Sequence, residues 1–195
     1  IFNIVISHSS QSSFNDLGFG IFPAMVVGVL VGIVCGLISG IMVAHFEVPA
    51  LIATLAMQTI ARGFAFIMTQ GIPVYGLPES IKTLGQGYFL GIPIPVYILA
   101  LVFFIGWWML EQTSFGRHLY AIGGNEEVAR LSGINVLVKK IQIYSLSGFF
   151  AGLSGVIMLS RLNSGQPATS EGFEMDVITA AVLGGVSVAG GQGKI

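Results

Sequence analysis

Four long apolar runs alternate with more polar connectors along the chain. The runs cover residues 22–46, 51–69, 89–110 and 141–159. A transmembrane helix needs about 20 mostly apolar residues, whereas outer-membrane strands alternate apolar and polar positions over stretches of about ten. The pattern therefore predicts an all-α fold, a polytopic transmembrane helical bundle with at least four spans.

A fifth apolar segment, 176–189 with the sequence DVITAAVLGGVSVA, is too short to cross a bilayer and is interrupted by Gly184 and Gly185. Irregular backbone is tolerated at membrane depth only where protein or water shields its polar groups. This segment is predicted to be a broken or re-entrant half-helix near the C-terminal end.

Composition agrees with a membrane protein. Apolar residues make up 54% of the chain and charged residues 9%, and the mean hydropathy is +0.87, whereas soluble domains contain about 25% charged residues. The lipid bilayer is therefore a predicted partner. A net charge of -1 argues against nucleic-acid binding, which needs a basic surface. The single cysteine, Cys35, excludes a disulfide framework and is interpreted as a buried apolar side chain.

Charge is concentrated in one connector, residues 111–140. It contains seven of the charged residues: Glu111, Arg117, Glu126, Glu127, Arg130, Lys139 and Lys140. Lysine and arginine are enriched in cytoplasmic loops, so this connector is predicted to be cytoplasmic. The connectors 70–88 and 160–175 then lie on the other side of the membrane.

Within this connector, the stretch GGNEEVARLSGIN predicts one short helix. Asn125 is a favourable N-cap, Glu126 and Glu127 lie in the first turn, Arg130 follows Glu126 by four residues, and Gly133 is a C-terminal stop. A helix of about two turns is unstable alone in water, so it must dock on something. Both its own inner loops and another protein fit that requirement.

Small residues recur every four positions in two of the predicted spans. They are Gly28, Gly32, Gly36 and Gly40 in the first, and Gly148 and Gly152 in the fourth. Such faces let helices approach closely in lipid, where no hydrophobic effect joins them. These glycines are predicted helix-packing positions.

The second predicted span contains a polar stripe of Thr54, Gln58 and Arg62, spaced four residues apart. A charge at membrane depth is costly and usually faces a bundle interior or a watery path. Two hypotheses remain open: the stripe lines a translocation pathway, or Arg62 is structural and either snorkels to the membrane interface or pairs with backbone carbonyls and a span outside this sequence.

Signs of catalysis are absent from the sequence. The GGQGKI ending lacks a Walker loop, because Val188 stands where the first glycine is needed and Ile195 where serine or threonine is needed. The three histidines lack metal-ligand spacing. We therefore predict no enzyme activity, no metal site and no cofactor.

Four stretches of the sequence closely resemble the permease subunits of ribose-type bacterial ABC importers. They are FGRHLYAIGGNEEVARLSGINV, YSLSGFFAGLSGVIMLSRLNSGQP, GFEMDVITAAVLGGVSVAGGQGKI and VPALIATLAMQTIARGFAFIMTQGIPVYGLP. The resemblance covers residues 39–195, with weaker support from 28–40. One departure is the family's DLSVG-like stretch: the chain offers only DLGFG, at 16–20, in a predicted extracytoplasmic loop. It implies that 1–195 is a fragment of one transmembrane permease domain in the bacterial inner membrane.

The same resemblance implies that the chain helps to translocate a monosaccharide. The implied partners are an ATPase subunit that hydrolyses the ATP, an extracytoplasmic solute-binding protein and a second permease subunit. The ATPase is expected to dock on the short helix, through Asn125, Glu126, Glu127, Ala129, Arg130, Leu131, Ser132 and Gly133. An ion-coupled secondary transporter and a non-transporting membrane scaffold are the alternatives; coupling by protons or sodium favours intramembrane acids, which the four runs lack at their centres.

Overall fold

The computed structural model describes residues 21–75, 79–187, 190–191 and 193. It contains eight helices in these ranges: α1 Ile21–His45, α2 Ala50–Thr69, α3 Glu79–Gln86, α4 Ile94–Glu111, α5 Ser114–Gly124, α6 Glu126–Leu131, α7 Val136–Leu162 and α8 Phe173–Leu183. The strands β1 Tyr88–Phe89 and β2 Ile92–Pro93 form a small antiparallel pair. Of the described helices, α1, α2, α4 and α7 are long and apolar enough to cross a membrane. The prediction of an all-α polytopic protein is confirmed.

The chain divides into two compact units. The first holds α1, α2, α3, the strand pair and α7 from residue 140 onward, and the second holds α4 from residue 97 onward, α5, α6 and α8.

In the first unit, α1 and α2 are adjacent helices joined by four residues, 46–49. Their bounds fall within one residue of the predicted spans. Pro49 precedes the first residue of α2, where its fixed φ suits a helix start. At the other end, Gln70 and Gly71 adopt positive φ, and the Gly71 N–H donates to the Phe66 carbonyl at 3.1 Å, which closes the helix.

Also in the first unit, α1 and α7 cross with their backbones in contact. A Cβ built on Gly36 would lie 3.1 Å from the Gly148 Cα, and one built on Gly32 would lie 3.0 Å from the Gly152 Cα. Further along α1, a Cβ on Gly40 would lie 3.0 Å from the Tyr144 Cβ. Side chains larger than hydrogen would separate the helices at this crossing.

A short helix, α3, packs against the end of α7 in the same unit. Ile81 is completely buried, and the Ser160 hydroxyl donates to its carbonyl oxygen. The Gln86 amide donates to the Arg161 carbonyl at 3.0 Å. α3 is not predicted from the sequence, because its eight residues include no long apolar run.

The third span begins five residues later than predicted, at Ile94 instead of Phe89. Residues 88–93 form the strand pair, which turns at Leu90 and Gly91, both with positive φ. A residue that precedes proline disfavours the α-helical region, and Pro93 follows Ile92 in β2. The apolar run therefore extends further than the helix.

The fourth span is longer than predicted, and the half-helix is displaced. α7 begins at Val136, where the Asn135 side chain accepts a hydrogen bond from the Val138 N–H at 3.2 Å. Lys139 and Lys140, which precede the apolar run, lie inside the helix. α8 covers Phe173–Leu183 instead of 176–189, since the chain turns at Gly184 and Gly185; residues 188 and 189 lie outside the described residues.

Candidate functional site

The first unit contains a cavity of about 480 Å³ between α1, α2 and α7. This volume is within the range of roughly 300–1,000 Å³ that is typical of small-molecule sites. Glycines of α1 and α7 form much of its wall, because helices without side chains at their crossing leave open space on either side of it. The glycines at the crossing of α1 and α7 therefore allow the two helices to approach closely and also form part of the cavity wall.

Polar groups enter this cavity from all three helices. Thr54 and Gln58 line it from α2, Cys35 and Ser39 from α1, and Ser147 from α7. The Thr54 hydroxyl donates to the Ala50 carbonyl at 2.9 Å, and the Ser39 hydroxyl donates to the Cys35 carbonyl at 3.0 Å, so each presents its remaining oxygen lone pairs. The Gln58 amide supplies both donors and an acceptor. The wall is therefore largely apolar with a few hydrogen-bonding groups.

The structure brings two members of the predicted polar stripe together, but not the third. Thr54 and Gln58 line the cavity, whereas its lining includes Ala61 and not Arg62. Positions four apart drift by about 40° around a helix axis at each step, so two steps rotate Arg62 well away from Thr54. A pathway role for the stripe stays a prediction.

In the second unit, α6 has the predicted caps at both ends. The Asn125 side chain accepts hydrogen bonds from the backbone N–H groups of Glu127 and Val128, at 3.0 and 3.1 Å. Gly133 has φ +84°, and the Ile134 N–H donates to the Ala129 carbonyl at 3.2 Å. This arrangement satisfies backbone groups that a six-residue helix otherwise leaves unpaired.

The exposed surface of α6 combines apolar and charged side chains. Its Ala129 is buried, but Leu131 is 83% exposed and Val128 is 57% exposed. Glu126, Glu127 and Arg130 are also exposed. Docking of another protein on this surface stays a prediction.

α5, the longer helix that precedes and contacts α6, is not predicted from the sequence. Its last two residues are Gly123 and Gly124, directly before the Asn125 cap of α6. α5 and α6 contact each other, and the Lys139 ammonium lies 5.3 Å from the centre of the Phe115 ring of α5. The spacing of Phe115, Leu119 and Ile122 is the helical signal in the sequence that could have revealed it.

The chain matches the model of a protein family described as the permease component of the branched-chain amino acid transport system, over residues 4–191. The chain belongs to this family. It is 47% identical over 174 residues to the ribose import permease protein of Bacillus subtilis (strain 168), covering 88% of this chain and 54% of the relative. It is 48% identical over 160 residues to the ribose import permease protein of Escherichia coli (strain K12), covering 80% of this chain and 50% of the relative.

A third relative is named for a different sugar. The chain is 46% identical over 156 residues to the L-arabinose transport system permease protein of Escherichia coli (strain K12), covering 80% of this chain and 48% of the relative. The chain thus spans about half the length of the curated relatives it matches. No solved structure matches it.

These relatives confirm the resemblance to ribose-type sugar permeases. Together with the four helices that are able to cross a membrane, they make the chain a multi-pass protein of the bacterial inner membrane. Within the described part of the chain, no three His, Cys, Asp or Glu residues form a group able to hold a metal ion.

Proposed function

We propose that the chain forms part of the membrane-spanning subunit of an ATP-driven bacterial importer for a monosaccharide of the ribose type. The observation that carries this proposal is the 47% identity to a ribose import permease over 88% of the chain. The family description names amino acids, but the individual relatives that share nearly half of the residues are named for ribose and L-arabinose. A pentose sugar is therefore the favoured solute.

Energy for transport comes from a partner ATPase in this proposal. α6 supplies the docking surface, with exposed Leu131 and Val128 as apolar contacts and Glu126, Glu127 and Arg130 as charged contacts. Charges around an apolar contact select the partner and its orientation. A solute-binding protein delivers the sugar on the opposite side, and a second permease subunit completes the complex. The chain itself hydrolyses no ATP.

In this proposal, the cavity between α1, α2 and α7 forms part of the pathway that the sugar takes through the membrane. Gln58, Thr54 and Ser147 line it and offer hydrogen bonds to hydroxyl groups. An apolar wall with few polar groups binds a sugar weakly, which suits a site that has to release its solute. Among the lining residues that the structure describes, none is acidic, which favours an ATP-driven importer over an ion-coupled transporter.

Cys35 provides a test of the route, because it lines the cavity. In the assembled importer, a small charged methanethiosulfonate reagent should modify Cys35, since this reaction needs a thiolate in contact with water. Ribose and the loaded binding protein should slow the modification by occupying the route. The measurement is the modified fraction against time, read as a gel shift after denaturation.

The matched control moves the thiol by one residue. Val34 is not among the residues that line the cavity, so a Cys35→Ser, Val34→Cys variant should stay unmodified because its thiol faces lipid or protein. If Cys35 reacts only after denaturation, the cavity is closed to water in the assembled protein and the sugar takes another route.

A further inference from the structure

The glycine-rich segment that follows α8 lies against the end of α5, within the second unit. A Cβ built on Gly123 would lie 3.0 Å from the Gly191 Cα, and one built on Gly191 would lie 2.8 Å from the Gly124 Cα. The two stretches of backbone are therefore in direct contact, with no room for a side chain between them.

A side-chain hydrogen bond reinforces this contact. The Tyr120 hydroxyl of α5 donates to the Gly193 carbonyl oxygen at 2.9 Å. Gly190 and Gly191 have φ of +90° and +73°, values that favour glycine. We call Tyr120, Gly123, Gly190, Gly191 and Gly193 the glycine clasp. It accounts for glycines that neither a nucleotide site nor the docking surface explains.

The clasp joins the chain just before the proposed docking helix α6 to the chain just after the half-helix α8. On one side, α5 continues directly into the cap of α6, because the Asn125 N–H donates to the Ala121 carbonyl at 3.1 Å. On the other side, Gly190 follows closely after α8, which ends at Leu183 and has no buried residue. Backbone contact between Gly123 and Gly191 thus joins the end of α5 to the segment after α8, without a flexible side chain in between.

We propose that the glycine clasp is the mechanical link that transmits movement of the ATPase-docking helix α6 to the half-helix α8. Tyr120 and Gly123 are then positioning residues for transport, which act through the elements that they hold together. The inference rests on the proposed function, because it needs a motor that moves α6. Its specific consequence is that a loosened clasp separates ATP hydrolysis from sugar movement while docking persists.

The test compares two neighbouring glycines in the complete importer, reconstituted in proteoliposomes with its ATPase and binding protein. Gly123→Ala places a methyl group against Gly191, whereas Gly124→Ala is the control, because a Cβ there meets nothing within 4 Å. Gly123→Ala should lower the ribose imported per ATP about tenfold, since tightly packed backbone has to move apart. Gly124→Ala should change this ratio by less than about twofold.

Tyr120→Phe keeps the ring and removes only the hydroxyl that bonds to Gly193. It should lower the ribose imported per ATP roughly fivefold, the effect of losing one hydrogen bond. This variant decides the question alone if Gly123→Ala does not assemble. In both variants, the ATPase should co-purify and hydrolyse ATP at the level of the unmodified complex.

Two results would overturn the inference. One is a wild-type ratio of ribose to ATP in Tyr120→Phe and in any Gly123→Ala complex that assembles. The other is loss of ATPase binding in proportion to loss of transport, since the clasp would then only hold α6 in place. Failure of the proposed function would look different, because the unmodified complex would show no ATP-driven uptake; that result would overturn both.

Discussion

Gly148→Leu is expected to prevent α1 and α7 from packing. A Cβ at this position would lie 3.0 Å from the Gly36 Cα, and leucine adds three more carbon atoms in the same direction. Because the neighbouring atoms belong to the backbone of Gly32 and Gly36, no side-chain rotation relieves the overlap. Such overpacking should lower the free energy of unfolding by more than about 3 kcal/mol. The measurement is the monodisperse fraction and the thermal stability of the detergent-solubilised protein.

Gly155→Leu is the matched control for this change. It lies in the same helix, but a Cβ there meets nothing within 4 Å. This variant should purify as a monodisperse species with a thermal stability close to that of the unmodified protein. If Gly148→Leu is as stable as Gly155→Leu, the crossing of α1 and α7 is not held by close backbone contact.

Reversing both acids of α6, as Glu126→Lys with Glu127→Lys, is expected to abolish ATPase docking. The two side chains are exposed in the first turn of the helix, beside the exposed Val128. Reversed charges at a desolvated contact cost several kcal/mol. The effect on α6 itself is smaller, about 0.3–1 kcal/mol for each lysine near the helix N-terminus. Co-purification of the ATPase and binding-protein-stimulated ATP hydrolysis should both fall to background.

Two controls separate the docking surface from charge and from helix stability. Glu47→Lys with Glu111→Lys reverses two other exposed acids and should leave ATPase binding close to normal. Asn125→Ala removes the cap that bonds Glu127 and Val128 and should cost only about 1 kcal/mol, giving a mild loss. If the Glu126 and Glu127 double variant still binds the ATPase at the wild-type level, the motor docks elsewhere.

The features that sequence reasoning predicts well are those set by local chemistry. Continuous apolar runs mark α1 and α2 to within one residue, since lipid requires internally hydrogen-bonded helices of fixed length. The caps of α6 follow from two local features. The Asn125 side chain accepts hydrogen bonds from nearby backbone N–H groups, and Gly133, which has no side chain, lets the backbone turn at the end of the helix. These interactions need no knowledge of the rest of the fold.

The features that could not be predicted from the sequence depend on contacts between residues that are far apart along the chain. α3 is held by Ile81 and Ser160, which are far apart in sequence. The separation of Arg62 from the cavity depends on where α1 and α7 lie around α2. The glycine clasp joins Gly123 to Gly191, and glycines that make close contacts look the same in sequence as glycines that end helices.

The central claim is that this chain belongs to an ATP-driven importer of a ribose-type sugar. The most direct measurement is uptake of radiolabelled ribose into proteoliposomes that contain the full-length permease, its ATPase and its binding protein. We predict uptake that requires ATP and the binding protein, that is lost with Glu126→Lys and Glu127→Lys, and that excess unlabelled ribose competes away but leucine does not. Uptake that persists without ATP, or that leucine inhibits better than ribose, would contradict the account.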